Sequence, residues 1–147
     1  MTTTYLDAIL DAHRAAAAAE KRAVDQLLDV ARGMPPTRGF RAALADSDQL
    51  GVISEIKRRS PSKGDLLADL DPAEMARSYE RGGASCLSVL TDAPHFGGSV
   101  GDLVTAWQAC SLPTLRKDFT VCPLDVIDAR LMGADCVLLI AAALDRT

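Results

Sequence analysis

After Gly51 this 147-residue chain alternates short aliphatic runs with helix-like segments, an order that predicts an α/β fold on a parallel sheet. The runs fall at residues 52–57, 85–91, 113–117 and 135–140. The segments between them carry helix start and stop signals. Asp71-Pro72-Ala73-Glu74 offers a cap, a proline at the first helical position and a capping-box glutamate, and Gly82-Gly83 ends the helix. Ser99-Val100-Gly101-Asp102 opens a helix ending near Cys110, and Pro123 opens one ending at Gly133. Gly83-Ala84-Ser85-Cys86-Leu87 is echoed by Gly133-Ala134-Asp135-Cys136-Val137 at the equivalent helix-to-strand junction. A β-α-β-α-β-α-β order implies parallel strands joined by right-handed crossovers.

Ahead of the sheet, Thr4 is placed to cap one helix running to about Arg32, with Gly33 as its stop and Pro35-Pro36 preventing continuation. Leu6, Ile9, Leu10 and His13 share a face, as do Val24, Leu27 and Leu28 further on. The Ala15-to-Ala19 run favours helix. A short second helix is expected over residues 38–45, anchored by Phe40 and Leu44. Residues 1–50 thus read as a helical extension without evident chemistry.

With 48% hydrophobic residues the chain can bury a core, and its few aromatics leave aliphatic side chains and alanine to fill it. A net charge of -4 argues against a nucleic-acid or anionic-membrane partner. No apolar run approaches the roughly 20 residues that span a bilayer, and the N-terminus does not read as a secretory signal. A cytoplasmic setting is the expectation. Cys86, Cys110, Cys122 and Cys136 lack C-x-x-C spacing, and His13 and His95 have no partner at ligand spacing, so no metal site is expected. His13 reads as a helix-face residue.

The chemistry concentrates at strand ends. In Val52-Ile53-Ser54-Glu55-Ile56-Lys57, alternation puts Ile53, Glu55 and Lys57 on one face and Ser54 and Ile56 on the other. Ionisable groups in an apolar strand are costly unless paired, hydrated or in use. A structural Glu-Lys pair at the sheet margin is one reading; a reactive site is the other, because α/β enzymes keep their chemistry at C-terminal strand ends. Leu115-Arg116-Lys117-Asp118-Phe119 repeats the arrangement on the third strand. No Gly-rich dinucleotide fingerprint follows the first strand, which weakens a doubly wound open sheet. The alternative is a (β/α)8 barrel of the TIM-barrel family. Such a barrel needs about 250 residues, so residues 51–147 would be its first four strands, a half barrel and a single incomplete domain.

Glu55-Ile56-Lys57-Arg58-Arg59-Ser60-Pro61-Ser62-Lys63-Gly64, Ser88-Val89-Leu90-Thr91-Asp92, Phe96-Gly97-Gly98-Ser99, Leu115-Arg116-Lys117-Asp118-Phe119 and Gly133-Ala134-Asp135-Cys136-Val137-Leu138-Leu139-Ile140 occur in a telling order. Together with the helical extension they resemble the indole-3-glycerol-phosphate synthase family over essentially the whole chain. The resemblance implies a (β/α)8 barrel lyase of tryptophan biosynthesis, acting without metal or organic cofactor. Its reaction is the decarboxylating ring closure of 1-(2-carboxyphenylamino)-1-deoxyribulose 5-phosphate to indole-3-glycerol phosphate.

By motif match, Lys117 corresponds to the general acid for ring closure. Lys57 corresponds to the lysine contacting the substrate carboxylate, also proposed as an acid in the later dehydration. Glu55 corresponds to the glutamate that positions both. Ser60 and Pro61 match the first active-site loop, with Ser60 toward the sugar-phosphate end. Phe96, Phe119, Leu138 and Ile140 match the apolar lining of the aryl pocket, though core packing also explains apolar strand residues. Arg58, Arg59 and Lys63 read as solvated loop charges, with anion contacts the alternative.

The family's later strands and main phosphate site lie outside these motifs. The expectation is therefore a fragment inactive by itself and prone to self-association through open sheet edges. Two further readings are a non-catalytic truncated half barrel that only binds or self-associates, and another phosphosugar barrel such as phosphoribosylanthranilate isomerase. The latter fits poorly with Glu55, Lys57 and Lys117, because it typically relies on a strand-end cysteine and aspartate.

Overall fold

A computed structural model describes residues 4–46 and 50–144. Four parallel strands, β1 (Ile53–Ile56), β4 (Cys86–Leu90), β5 (Thr114–Lys117) and β6 (Cys136–Val137), lie side by side in chain order. A small antiparallel pair, β2 (Arg59–Ser60) and β3 (Gly64–Asp65), folds back on itself after β1. The crossover helices are α4 (Pro72–Arg81), α6 (Val100–Ala109) and α7 (Pro123–Leu131). A short helix, α5 (Ala93–Phe96), follows β4 directly.

The crossover helices share one face. Ile56, Leu87 and Val89 of the sheet bury against Ala76 of α4, Leu103 and Ala106 of α6, and Ala129 of α7. Burying a full aliphatic side chain contributes about 1.5–3 kcal/mol, so this seam accounts for much of the sheet's stability. Helices on one face and strands in sequential order describe consecutive βα units of a barrel with a helical extension. A doubly wound sheet would reverse its strand order and carry helices on both faces.

The two glycine junctions are structurally equivalent. Gly83 (φ 83°) and Gly133 (φ 92°) both take the left-handed conformation that favours glycine. In each, the next amide reaches back into the helix, Ala84 N–H to Tyr79 O at 3.0 Å and Ala134 N–H to Ala129 O at 2.9 Å. Ser85 N–H and Asp135 N–H then bond Val52 O and Thr114 O, each at 2.8 Å, and launch the next strand.

The helical extension differs from its expectation. In place of one helix there are two, α1 (Tyr5–Ala19) and α2 (Val24–Arg32), with an extended break at Glu20. Glu20 accepts the Lys21 and Arg22 amides, each at 2.8 Å, while Arg22 forks onto Asp128 of α7 at 2.9 and 2.8 Å. The break frees α2 to pack Leu27, Leu28 and Ala31 against Leu124 and Ile127. Thr4 does cap α1, in a reciprocal capping box with Asp7. The second helix, α3, is confined to Phe40–Ala45, and the Cys86 thiol donates to Phe40 O beneath the sheet.

Two smaller corrections concern α4 and β6. Asp71 caps α4 by accepting from Ala73 and Glu74, but Glu74 turns its carboxylate to Arg77 and Arg81 instead of closing a capping box. The fourth strand pairs over two residues, not six, through Leu115↔Cys136 and Arg116↔Val137 alone.

Candidate active site

Strand register assembles the site. Glu55 lies opposite Ser88, Ser88 opposite Leu115, and Leu90 opposite Lys117, so these side chains share the sheet face away from the crossover helices. All strands run parallel, which brings the ends of β1 and β5 to the same rim. Lys57 Nζ donates to Glu55 Oε1 and Lys117 Nζ to Glu55 Oε2, both at 2.9 Å. The Ser88 hydroxyl reaches Glu55 Oε2 at 3.5 Å. The amines of two separate strands thus converge on one carboxylate.

Burial works to raise the Glu55 pKa, but hydrogen bonds from Lys117 and Lys57 outweigh it and hold the carboxyl below its ordinary range. Two ammonium groups around one carboxylate leave an excess positive charge. The three side chains are about a third exposed, so an incoming anion can compete for them.

Beside Lys117 lies an apolar pocket of about 50 Å3 lined by Leu90, Phe96, Asp118, Phe119, Leu138 and Ile140. The structure therefore brings Phe96, Phe119, Leu138 and Ile140 together with Lys117. A cavity enclosing a benzene ring measures on the order of 150 Å3, so these residues form an apolar wall too small by itself to enclose an aromatic ring. Gly98 makes the wall possible, since a Cβ there would sit 2.2 Å from Leu90 O.

Ser60 and Pro61 are not part of this wall. The Ser60 hydroxyl accepts Lys63 N–H at 3.2 Å within its own turn, and Pro61 is exposed. Arg58 is no solvated loop charge. It forks onto Asp102 of α6 at 2.8 and 2.9 Å and donates to Ala68 O at 2.7 Å, tying the loop after β1 to the helix layer. Arg59 likewise bonds Pro94 O at 2.6 Å, while Lys63 is exposed as expected.

A second cluster, on the outer rim, was not anticipated. Asp118 accepts the Thr91 hydroxyl, Arg116 at 3.1 Å and Phe119 N–H at 2.8 Å. Asp92 accepts His95 N–H at 2.8 Å, the His95 ring at 3.1 Å and His13 Nε2 at 3.2 Å. Burial tends to raise the Asp92 pKa, and the donors from His95 and His13 hold it below its ordinary range. The donor atoms of His13, Asp92 and Asp118 lie within 4.8 Å of one another, correcting the expectation that His13 has no partner. Both carboxylates accept protein donors, so the three side chains form a hydrogen-bonded cluster. One signal was in the sequence: Arg116 alternates away from Lys117 onto a buried face, where it needs an acid, and Asp118 follows two residues later.

A family model of indole-3-glycerol phosphate synthase matches residues 6–147. The chain belongs to that family. The indole-3-glycerol phosphate synthase of Hyphomonas neptunium is 52% identical over 149 residues, covering 98% of this chain and 56% of that protein. That of Bordetella pertussis is 52% identical over 136 residues, covering 90% of this chain and 52% of that protein. The chain spans about half the length of these curated relatives. Membership of the indole-3-glycerol phosphate synthase family agrees with the partial parallel barrel, and no helix among the described residues is long and apolar enough to cross a membrane.

Proposed function

We propose that this chain supplies the acid and carboxylate-recognition part of an indole-3-glycerol phosphate synthase site. The observation that carries the reading is the convergence of Lys57 and Lys117 on Glu55 beside the apolar wall. The substrate would be 1-(2-carboxyphenylamino)-1-deoxyribulose 5-phosphate, with its aryl ring against Phe96 and Phe119 and its carboxylate on Lys57. Lys117, as an ammonium, would protonate the ribulose carbonyl as the aryl carbon attacks. Displacing Glu55 from Lys57 costs little, because both groups keep contact with water. Ser60 and Pro61 would reach the substrate only if the loop after β1 rearranges. The reaction and the four unbridged cysteines suit a reducing cytoplasm.

The 147 residues alone should lack turnover, since the anchoring phosphate site of such barrels comes from loops after strands seven and eight. A multi-turnover fluorescence assay for indole-3-glycerol phosphate checks this; robust product from the isolated chain would refute it. Mixing in the second half of a relative should restore product. Lys117→Met and Lys57→Met should each abolish the restored activity. Failure of the mixture, or full activity of either variant in it, would count against the reading.

Self-association has separate support. Within the described sheet β1 and β6 each have one neighbouring strand, and Ile53 and Leu139 are exposed nearby. Sedimentation of the isolated chain as a concentration-independent monomer would exclude it.

A further inference from the structure

We propose that His13, on the amino-terminal helix, is a positioning residue for the aryl wall. Three contacts carry this. His13 Nε2 donates to Asp92 at 3.2 Å and stands 4.0 Å from Asp118, so one strand-end carboxylate holds the ring and a second lies beside it. The ring then packs on Phe119, centroids 5.1 Å apart and planes tilted by 42°. Phe119 in turn packs on Phe96 at 6.3 Å and 37°. A continuous aromatic relay thus runs from α1 into the pocket beside Lys117.

Apart from its face on Phe119, the imidazole borders open space. It lies between a cavity of about 280 Å3, shared with Thr91, Asp92 and His95, and one of about 120 Å3, shared with Glu20 and Arg22. With open space on both sides, the stack on Phe119 seats the ring and the hydrogen bond to Asp92 aims it. Asp118 reinforces the geometry at the far end, since the oxygen facing His13 also accepts Phe119 N–H at 2.8 Å. Losing the imidazole would leave the Phe119 ring free to rotate into the vacated volume. That the wall receives an aryl ligand rests on the proposed function; the tie between His13 and Phe119 does not.

The chain contains three phenylalanines, so labelling with 4-fluorophenylalanine gives three fluorine resonances, assignable with Phe96→Leu and Phe119→Leu. His13→Ala should move the Phe119 and Phe96 signals and leave Phe40, beneath the sheet, in place. His13→Phe keeps a ring on Phe119 and should return both signals toward their original positions, whereas His13→Gln should not. Unmoved Phe119 and Phe96 signals in both His13→Ala and His13→Gln would overturn the proposal. If His13→Ala fails to fold, as a displaced Phe40 signal would report, the Gln and Phe variants decide.

A second arm titrates 2-aminobenzoate, read by its own fluorescence. Its dissociation constant should rise about two- to tenfold in His13→Gln, the worth of one aromatic contact, and recover in His13→Phe. No binding by the unaltered chain would count against the aryl reading, and the fluorine spectra would still decide the part played by His13.

Discussion

Arg116 and Lys117 are neighbours on β5, yet their surroundings have little in common. Lys117 faces the open side of the sheet, 35% exposed, and shares one carboxylate with a second amine. Arg116 faces the helix layer and spends its donors on Asp118, the Thr91 hydroxyl and Asp125 O. Its partner Asp118 is 6% exposed, and Asp92 beside it 1%. Strand alternation alone separates the two. On one face the charges are undersupplied with partners and reachable by water, which suits groups that must exchange ligands. On the other they are saturated and dry, which suits groups that hold strand ends in place.

Breaking the saturated cluster should cost most. Asp118→Ala leaves the largely covered Arg116 guanidinium without its acid and should remove about 3–5 kcal/mol of stability, measurable by urea denaturation. Gly98→Ala forces a Cβ into Leu90 O and should cost about 1–3 kcal/mol as overpacking; the same titration reads it. Glu55→Gln should lose no more than about 1 kcal/mol, because water screens that group, so a loss as large as that of Asp118→Ala would erase the contrast between the two faces.

Acidity sharpens the contrast further. Glu55 is held below its ordinary value of 4.5, so the unfolded chain takes up protons first as pH falls. The stability this group contributes is complete above that value and is lost as pH drops through its folded-state pKa. Glu55→Gln should therefore flatten the acid limb of the stability profile, followed by circular dichroism, by lowering the neutral plateau slightly and converging with the unaltered chain at low pH. The smallest effect is expected from Arg22→Ala, whose exposed fork to Glu20 and Asp128 should barely move the thermal midpoint.

Much of this was legible from local signals. Asp71-Pro72, Ser99 and Pro123 mark helix starts because caps and prolines act on their own backbone, and the observed helices begin there. The inward direction of Glu55, Lys57 and Lys117 was readable because a strand's faces alternate whatever surrounds it. The break after Ala19 was not, since the alanine run favours helix and the apolar packing that the break permits, Leu27, Leu28 and Ala31 on Leu124 and Ile127, forms only when α7 arrives. Arg58 looked like loop charge because its acid, Asp102, arrives only when α6 packs, 44 residues later. The partners of His13 were hidden for the same reason: they belong to strand ends that meet α1 only in the folded chain.

The shared carboxylate of Glu55 makes the two lysines a single thermodynamic unit. An anion that draws Lys57 away leaves the Glu55 carboxylate to Lys117 alone, so occupancy at one amine changes the pairing of its counterpart. Paired substitutions at these positions should depart from additivity, with the shortfall measuring how much of the acid each amine held.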